Sequence, residues 1–131
     1  GILEKAPHMN SQVLALEPLG AMEITDGETS LTSEVTLVPT PGHTPGHVSV
    51  DIYSQGQRAF ILGDVINFPA QAQETHWELI YDTDHKLARS TREAVLERLE
   101  KNGSIVGMGH FRPPSFGRLI RSEGRRLWQV L

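Results

Sequence analysis

The chain contains no cysteine, which removes disulfides, thiolate metal ligands and a cysteine nucleophile in one step. It has no run approaching the roughly 20 apolar residues that a membrane-spanning helix needs, and its first residues carry no signal-peptide pattern. A basic stripe is also missing. Twelve Lys and Arg are interspersed with sixteen Asp and Glu, leaving a formal charge of −4, so neither nucleic acid nor a membrane surface is the expected partner. The basic residues near the end, Arg118, Arg121, Arg125 and Arg126, are broken up by Leu119, Ile120, Glu123 and Gly124. They read as solvated hairpin charges rather than a phosphate patch. No internal repeat or low-complexity segment is present, and a cytoplasmic location is expected.

At 131 residues the chain is long enough for one domain with its own core. Asn10 to Leu19 is predicted as a short helix, with Val13, Leu14 and Leu16 packing inward, stopped by Pro18 and Gly20. Ala21 to Thr25 alternates apolar and polar residues before Asp26-Gly27, which predicts a strand and a turn. Val35 to Val38 repeats the strand signal. Val48, Val50 and Ile52 then alternate with Ser49 and Asp51, as in a strand with one face in the core and one toward water. Ser54-Gln55-Gly56-Gln57 is a hairpin turn. Ala59 to Leu62 has no polar residue, which predicts a central strand buried on both faces.

Residues 67–82 lack clean periodicity and are expected to form a long loop. Thr83 or Asp84 can cap the helix that follows. In that helix Leu87, Thr91, Val95 and Leu99 recur every four residues, while Arg89, Arg92, Glu93, Glu97 and Lys101 cover most of the remaining surface. Asn102-Gly103 ends it. A last strand pair, Arg118 to Arg121 and Arg125 to Val130, turns at Ser122-Glu123-Gly124. Strands, one long helix, then strands again make an α/β fold, with a mixed sheet covered by helix on one side.

The chemistry is concentrated in three short stretches. Thr40-Pro41-Gly42-His43-Thr44-Pro45-Gly46-His47 places histidines on a turn of rigid prolines and permissive glycines. Ala59-Phe60-Ile61-Leu62-Gly63-Asp64 delivers a carboxylate at a strand end. Ile105-Val106-Gly107-Met108-Gly109-His110 delivers a histidine in the same way. Strand ends presenting His, Asp and His are how a hydrolytic metal site is assembled. Taken singly, Asp64 would be a strand-end turn residue and His110 a capped strand-end histidine. His8, His76 and His85 are isolated and read as ordinary hydrogen-bonded histidines. Phe68, His76, Trp77, Phe111, Arg112, Ser115 and Phe116 adjoin these stretches and are candidates to line an apolar pocket.

In this order, TPGHTPGH, GD and GH, the chain resembles the metallo-β-lactamase superfamily of metallohydrolases from about Val35 onward. That resemblance implies half of an αββα sandwich, with residues 1–131 as one domain forming the C-terminal half of the fold. It implies that His43 serves one metal, His110 a second, and that Asp64 bridges both as the catalytic carboxylate. His47 would support the site without ligating. The family's first metal motif, HxHxDH, does not occur in the chain. A divalent metal is implied, with zinc the first candidate, although nitrogen and oxygen ligands also serve iron, manganese and cobalt. The segment 67–82 and the stretch His110 to Gly117 resemble the lactonase and organophosphate-hydrolase-like branch.

The resulting expectation is the C-terminal half of a binuclear hydrolase of ester, lactone or amide bonds. It would act on a small molecule when joined by the missing N-terminal half, and be inactive alone because neither metal reaches three protein ligands. The alternative is a non-catalytic module derived from such an enzyme, pairing with a second copy of itself as a homodimer through an exposed sheet face. An unrelated α/β domain with incidental histidines is the third reading.

Overall fold

The computed structural model describes residues 7–131. Residues 1–6, which carry no signal-peptide pattern in their sequence, lie outside the described residues. Seven strands form one sheet in chain order: β1 (Thr29–Ser30), β2 (Val35–Pro39), β3 (Val48–Ser54), β4 (Gln57–Ile61), β5 (Ile105–Gly107), β6 (Phe116–Ser122) and β7 (Arg125–Val130). Neighbours are antiparallel except β4 and β5. That parallel step needs a crossover, and it contains the long helix α1 (His85–Asn102). The fold is therefore α/β with a mixed sheet and one long helix, as the strand and helix pattern predicts.

Local chemistry explains the boundaries. Gln55 and Gly56 both have positive φ between β3 and β4, as do Glu123 and Gly124 between β6 and β7. Two-residue turns of this kind match the strand twist. The Asp84 carboxylate accepts from the Leu87 amide to cap α1, which ends on Gly103 in the left-handed region. Among the described residues no helix is long and apolar enough to cross a membrane.

One face of the sheet is covered. Phe60, Leu62, Val106, Met108 and Leu119 pack with Val95, Leu96 and Leu99 of α1 into a single core. The other face is apolar and open. Strand register places Leu37, Val50, Ile61, Gly107 and Phe116 in one row across β2 to β6, and Val35, Ile52, Ala59 and Ile105 in the next. Phe116 is 52% exposed there.

The structure corrects several expectations. Met9–Val13 and Leu14–Leu19 are irregular helical turns ending at Gly20, but they bury no residue. A ten-residue stretch broken by Pro18 is too short to hold an apolar face against the sheet. Ala21 to Thr25 forms no strand, and Ile24 is exposed; the edge strand is Thr29–Ser30 instead. In β3 the buried residues are Ser49 and Asp51, while Val48 is exposed and Val50 and Ile52 are half-buried. Alternation assigns residues to shared faces but not the face that α1 covers. β4 is central as expected, yet Ala59 and Ile61 remain half-exposed, because only one side of the sheet is packed.

On α1 the buried stripe is Ala88, Arg92, Val95, Leu96 and Leu99, with Leu87 exposed. The inward face is rotated by one residue from the four-residue repeat, which brings a guanidinium inside. Arg126 is not a solvated hairpin charge either. It donates to the Ala72 carbonyl and to Glu100, at 3.1 and 2.8 Å.

Candidate functional site

The three sequence motifs converge at one edge of the sheet. β2 runs into the His43 turn, β4 ends just before Asp64, and β5 leads to His110. Asp64 sits between the two imidazoles. Its Oδ1 is 2.7 Å from His110 Nε2, and its Oδ2 is 4.0 Å from His43 Nε2. His43, Asp64 and His110 line one cavity of about 710 Å³ together with Asn67, Leu79 and Tyr81. Among the described residues, no set of three His, Cys, Asp or Glu side chains is arranged to hold a metal ion by itself.

His47 also approaches the carboxylate, its Nε2 3.9 Å from Asp64 Oδ2, but its hydrogen bond is to the Asp64 backbone. The Asp64 amide donates to His47 Nε2 at 2.9 Å, so that nitrogen is an acceptor and the proton is on Nδ1. Nδ1 lies 2.8 Å from the Thr40 hydroxyl and 3.0 Å from the Thr40 carbonyl. The Ser49 hydroxyl donates to the Leu62 carbonyl at 3.0 Å, which leaves it to accept from the Thr40 hydroxyl 2.9 Å away. The chain of bonds thus starts at Asp64 and ends two residues before it. Burial lowers the His47 pKa, with the Thr40 bond and Asp64 opposing, in keeping with a neutral ring. Gly63 makes this approach possible. It has φ 61°, and a Cβ there would stand 2.7 Å from His47 Nε2.

The His43 turn is fastened to the start of α1. The Thr83 hydroxyl donates to the His43 carbonyl at 2.7 Å, and the Thr91 hydroxyl to the Pro41 carbonyl at 2.6 Å. A Cβ on Gly42 would come within 2.3 Å of the Ala88 backbone, so only glycine permits this contact. The His43 ring meets a second carboxylate on its far side: Nδ1 is 3.0 Å from Oδ1 of Asp82. Asp82 is buried, and Arg92 Nη2 lies 3.5 Å from its other oxygen. Burial lowers the Arg92 pKa and Asp82 opposes that shift.

A second cavity of about 420 Å³ adjoins the first through Asn67 and His110. Phe68, Phe111 and Arg112 line it, as the sequence suggests. His76, Trp77, Ser115 and Phe116 line neither cavity. Trp77 instead packs its ring against Phe68 with centroids 5.9 Å apart, and Phe116 belongs to the open sheet face. Sequence reasoning misses Asn67, Tyr81, Asp82, Arg92 and Trp128. For Asp82 the only signal was its position next to a helix cap, and for Arg92 there was none. His8 is exposed, while His76 and His85 lie on the surface, each 3.7 Å from a glutamate. A further cleft of about 340 Å³, lined by Tyr53, Arg58, Asn102 and Arg118 among others, contains no histidine or carboxylate.

A family model described as the metallo-β-lactamase superfamily matches residues 5–110, beginning well before Val35 and ending on the third motif. Among solved structures, the chain is similar to the hydrolase AbOPH of the β-lactamase superfamily, with TM-score 0.82 and 22% identity over 98% of this chain and 45% of that one. It is similar to AidC, a dizinc quorum-quenching lactonase in complex with its product, with TM-score 0.77 and 22% identity over 98% and 46% of the two chains. An N-acyl homoserine lactone hydrolase, with product bound at its catalytic metal centre, gives TM-score 0.58 and 27% identity over 67% of this chain and 35% of that one. The chain spans less than half the length of each of these proteins, and the first two likenesses are likenesses of fold. No curated protein matches the chain.

Proposed function

This chain belongs to the metallo-β-lactamase superfamily, and from that membership we propose that it contributes one side of the active centre of a binuclear metal-dependent hydrolase. The carrying observation is the placement of Asp64, one carboxylate oxygen toward His110 and the other toward His43. In this reading His43 and His110 would each hold one metal and Asp64 would serve both. The donor chemistry fits. Imidazole nitrogen and carboxylate oxygen suit zinc and similar divalent ions, and the buried carboxylate on His43 Nδ1 leaves Nε2 to face the cavity.

A metal pair bound there supplies Lewis acidity and an acidified water for attack on an ester, lactone or amide carbonyl. The protein's own part is to hold the donors and to receive the substrate. His47 fixes the Asp64 backbone, and Asp82 fixes the His43 ring. The apolar walls at Leu79 and Tyr81, with Phe68 in the adjoining cavity, suit a small molecule with an apolar portion. Zinc is the first candidate metal, and a lactone the first candidate substrate, supported by the lactonases among the similar structures.

Three donors do not complete two metal sites, since a catalytic zinc takes about three protein ligands. In this reading the remaining ligands come from an HxHxDH-bearing segment, in the same polypeptide or in a partner, and residues 1–131 alone hydrolyse little. The test is metal content after dialysis against zinc, for the wild type, His43→Ala and Asp64→Ala, each paired with a co-expressed HxHxDH-bearing half, followed by a lactone and ester screen with and without that half. Zinc lost in both variants, with hydrolysis only in the paired sample, is the expected result. Equal zinc in all three proteins, or no hydrolysis from the pair across both substrate classes, would overturn it.

The open sheet face favours a second reading, a self-associating module with two such faces packed together. Sedimentation at micromolar concentration separates the readings, because a monodisperse monomer removes the second one.

A further inference from the structure

Arg92 is 1% exposed, and a guanidinium in that position requires a full set of partners. Its partners come from two different places. Nε donates to the Val65 carbonyl at 2.9 Å, and Nη1 donates to the carbonyls of Thr75 and Trp77 at 2.8 and 3.0 Å. Val65 directly follows Asp64, while Thr75 and Trp77 lie toward the far end of the loop that leaves it. Nη2 faces Asp82, whose other oxygen meets the ring of His43. The planar, rigid fork of arginine can hold all these acceptors at once in one geometry, which a lysine ammonium on a flexible stem cannot.

We propose that Arg92 is a positioning residue that sets the two arms of the site against each other. Through Asp82 it orients the His43 ring, and through three carbonyls it holds the loop that carries the chain away from Asp64. The functional consequence rests on the hydrolase reading above, whereas the positioning itself concerns only this chain's residues. Gln71 reinforces the second arm. It is fully buried, donates to the same Trp77 carbonyl at 3.0 Å and accepts from the Asn67 amide at 2.8 Å.

The polarity of the first arm follows from hydrogen-bond inventory. Arg92 Nη2 stands 3.5 Å from Asp82 Oδ2, an ion pair without a hydrogen bond, so that oxygen faces a fixed positive charge. A carboxylate oxygen only accepts, and Asp82 Oδ1 lies 3.0 Å from His43 Nδ1, so that nitrogen carries the ring proton. Its Nε2 then presents a lone pair on the Asp64 side, 4.0 Å from Oδ2. Replacing Asp82 with asparagine inverts this order. Arg92 takes the amide oxygen, the amide NH2 faces His43 Nδ1, and the ring proton moves to Nε2.

The test uses the full chain, stripped of metal with a chelator and labelled with 15N-histidine, and reads the ring tautomer by long-range 1H–15N correlation. Wild type shows a single Nδ1–H tautomer at His43, and Asp82→Asn shows Nε2–H. Arg92→Met mixes the tautomers and speeds amide exchange across residues 67–77. Arg92→Lys keeps the tautomer but speeds exchange, because a single ammonium cannot reach every carbonyl. An Arg92→Met protein with native circular dichroism, wild-type His43 shifts and wild-type exchange would overturn the proposal. If Arg92→Met does not fold, Asp82→Asn retaining Nδ1–H while Arg92→Lys shows wild-type exchange overturns it instead. Co2+ titration of the chain paired with a co-expressed HxHxDH-bearing half is a separate readout, with Asp82→Asn expected to bind about tenfold or more weakly. Failure of the wild type to bind Co2+ counts against the hydrolase reading and leaves the ring result standing.

Discussion

His47 illustrates how a motif residue can serve a site without facing it. Both ring nitrogens are committed, one to the Asp64 amide and one to Thr40, so the ring has no free lone pair for a metal. His47→Leu would leave a buried amide and a hydroxyl without their partner. Each such loss costs about 1–3 kcal/mol, so a fall of about 2 kcal/mol in stability is expected by urea unfolding. Unchanged stability would mean that water replaces the ring. The sequence reading of His47 as a supporting residue comes from the family resemblance, while Pro45 and Gly46 argue for a turn rather than a helix that could aim both histidines at one metal. Asp82 offered no such clue. It meets His43 across 39 residues of sequence, and no local pattern encodes that distance.

At the scale of elements, α1 carries two functions on opposite stretches. Its first half is tied to the His43 turn through Thr91 and Ala88, and its last turn is tied to the β6–β7 hairpin through Glu100. Arg126 and Arg121 reach Glu100 Oε2 at 2.8 and 3.2 Å. Burial acts to raise the Glu100 pKa, but the bonds from Arg126 and Arg121 outweigh it and hold the pKa below its ordinary value. A carboxylate with a depressed folded-state pKa adds stability above its unfolded value, and that stability is lost as pH falls through the folded value. Glu100→Gln should therefore be less stable than wild type by about 1–2 kcal/mol at pH 7. The gap should narrow as pH drops below about 4.3, the unfolded value, and close once it falls through the depressed folded value. Thermal melts at both pH values check this, and a gap that persists in acid would point to lost packing. Helix and hairpin were both legible in the sequence, because period and turn residues are local. The tie between them was not, since Arg126 read as solvated until the fold placed Glu100 over it.

At the scale of the whole molecule, one apolar face of the sheet stands open. Val50 lies on that face between Leu37 and Ile61. If two copies cover this face, Val50→Lys buries an ammonium, which costs several kcal/mol, and the dimer should dissociate while helix content stays constant. If the face is open, the lysine reaches water along its stem and the sedimentation profile should not move. The same face explains why β3 was assigned the wrong way round. Its valines alternate with Ser49 and Asp51 as a half-buried strand should, yet α1 covers the polar set. Ser49 is satisfied by Thr40 and Leu62, while Asp51 bonds Arg98 through Oδ2 at 2.6 Å and faces Arg58 with Oδ1 at 3.5 Å.

The sequence by itself determined the order of the strands and the long helix, and the delivery of His43, Asp64 and His110 at strand ends. These depend on periodicity, turn residues and short motifs, which act within a few residues. The tertiary structure alone decided which face of the sheet is buried, which side of α1 turns inward, and that Arg92 and Asp82 stand behind the site. Those outcomes are set by contacts between distant segments competing for one core, and nothing in a local pattern ranks the competitors.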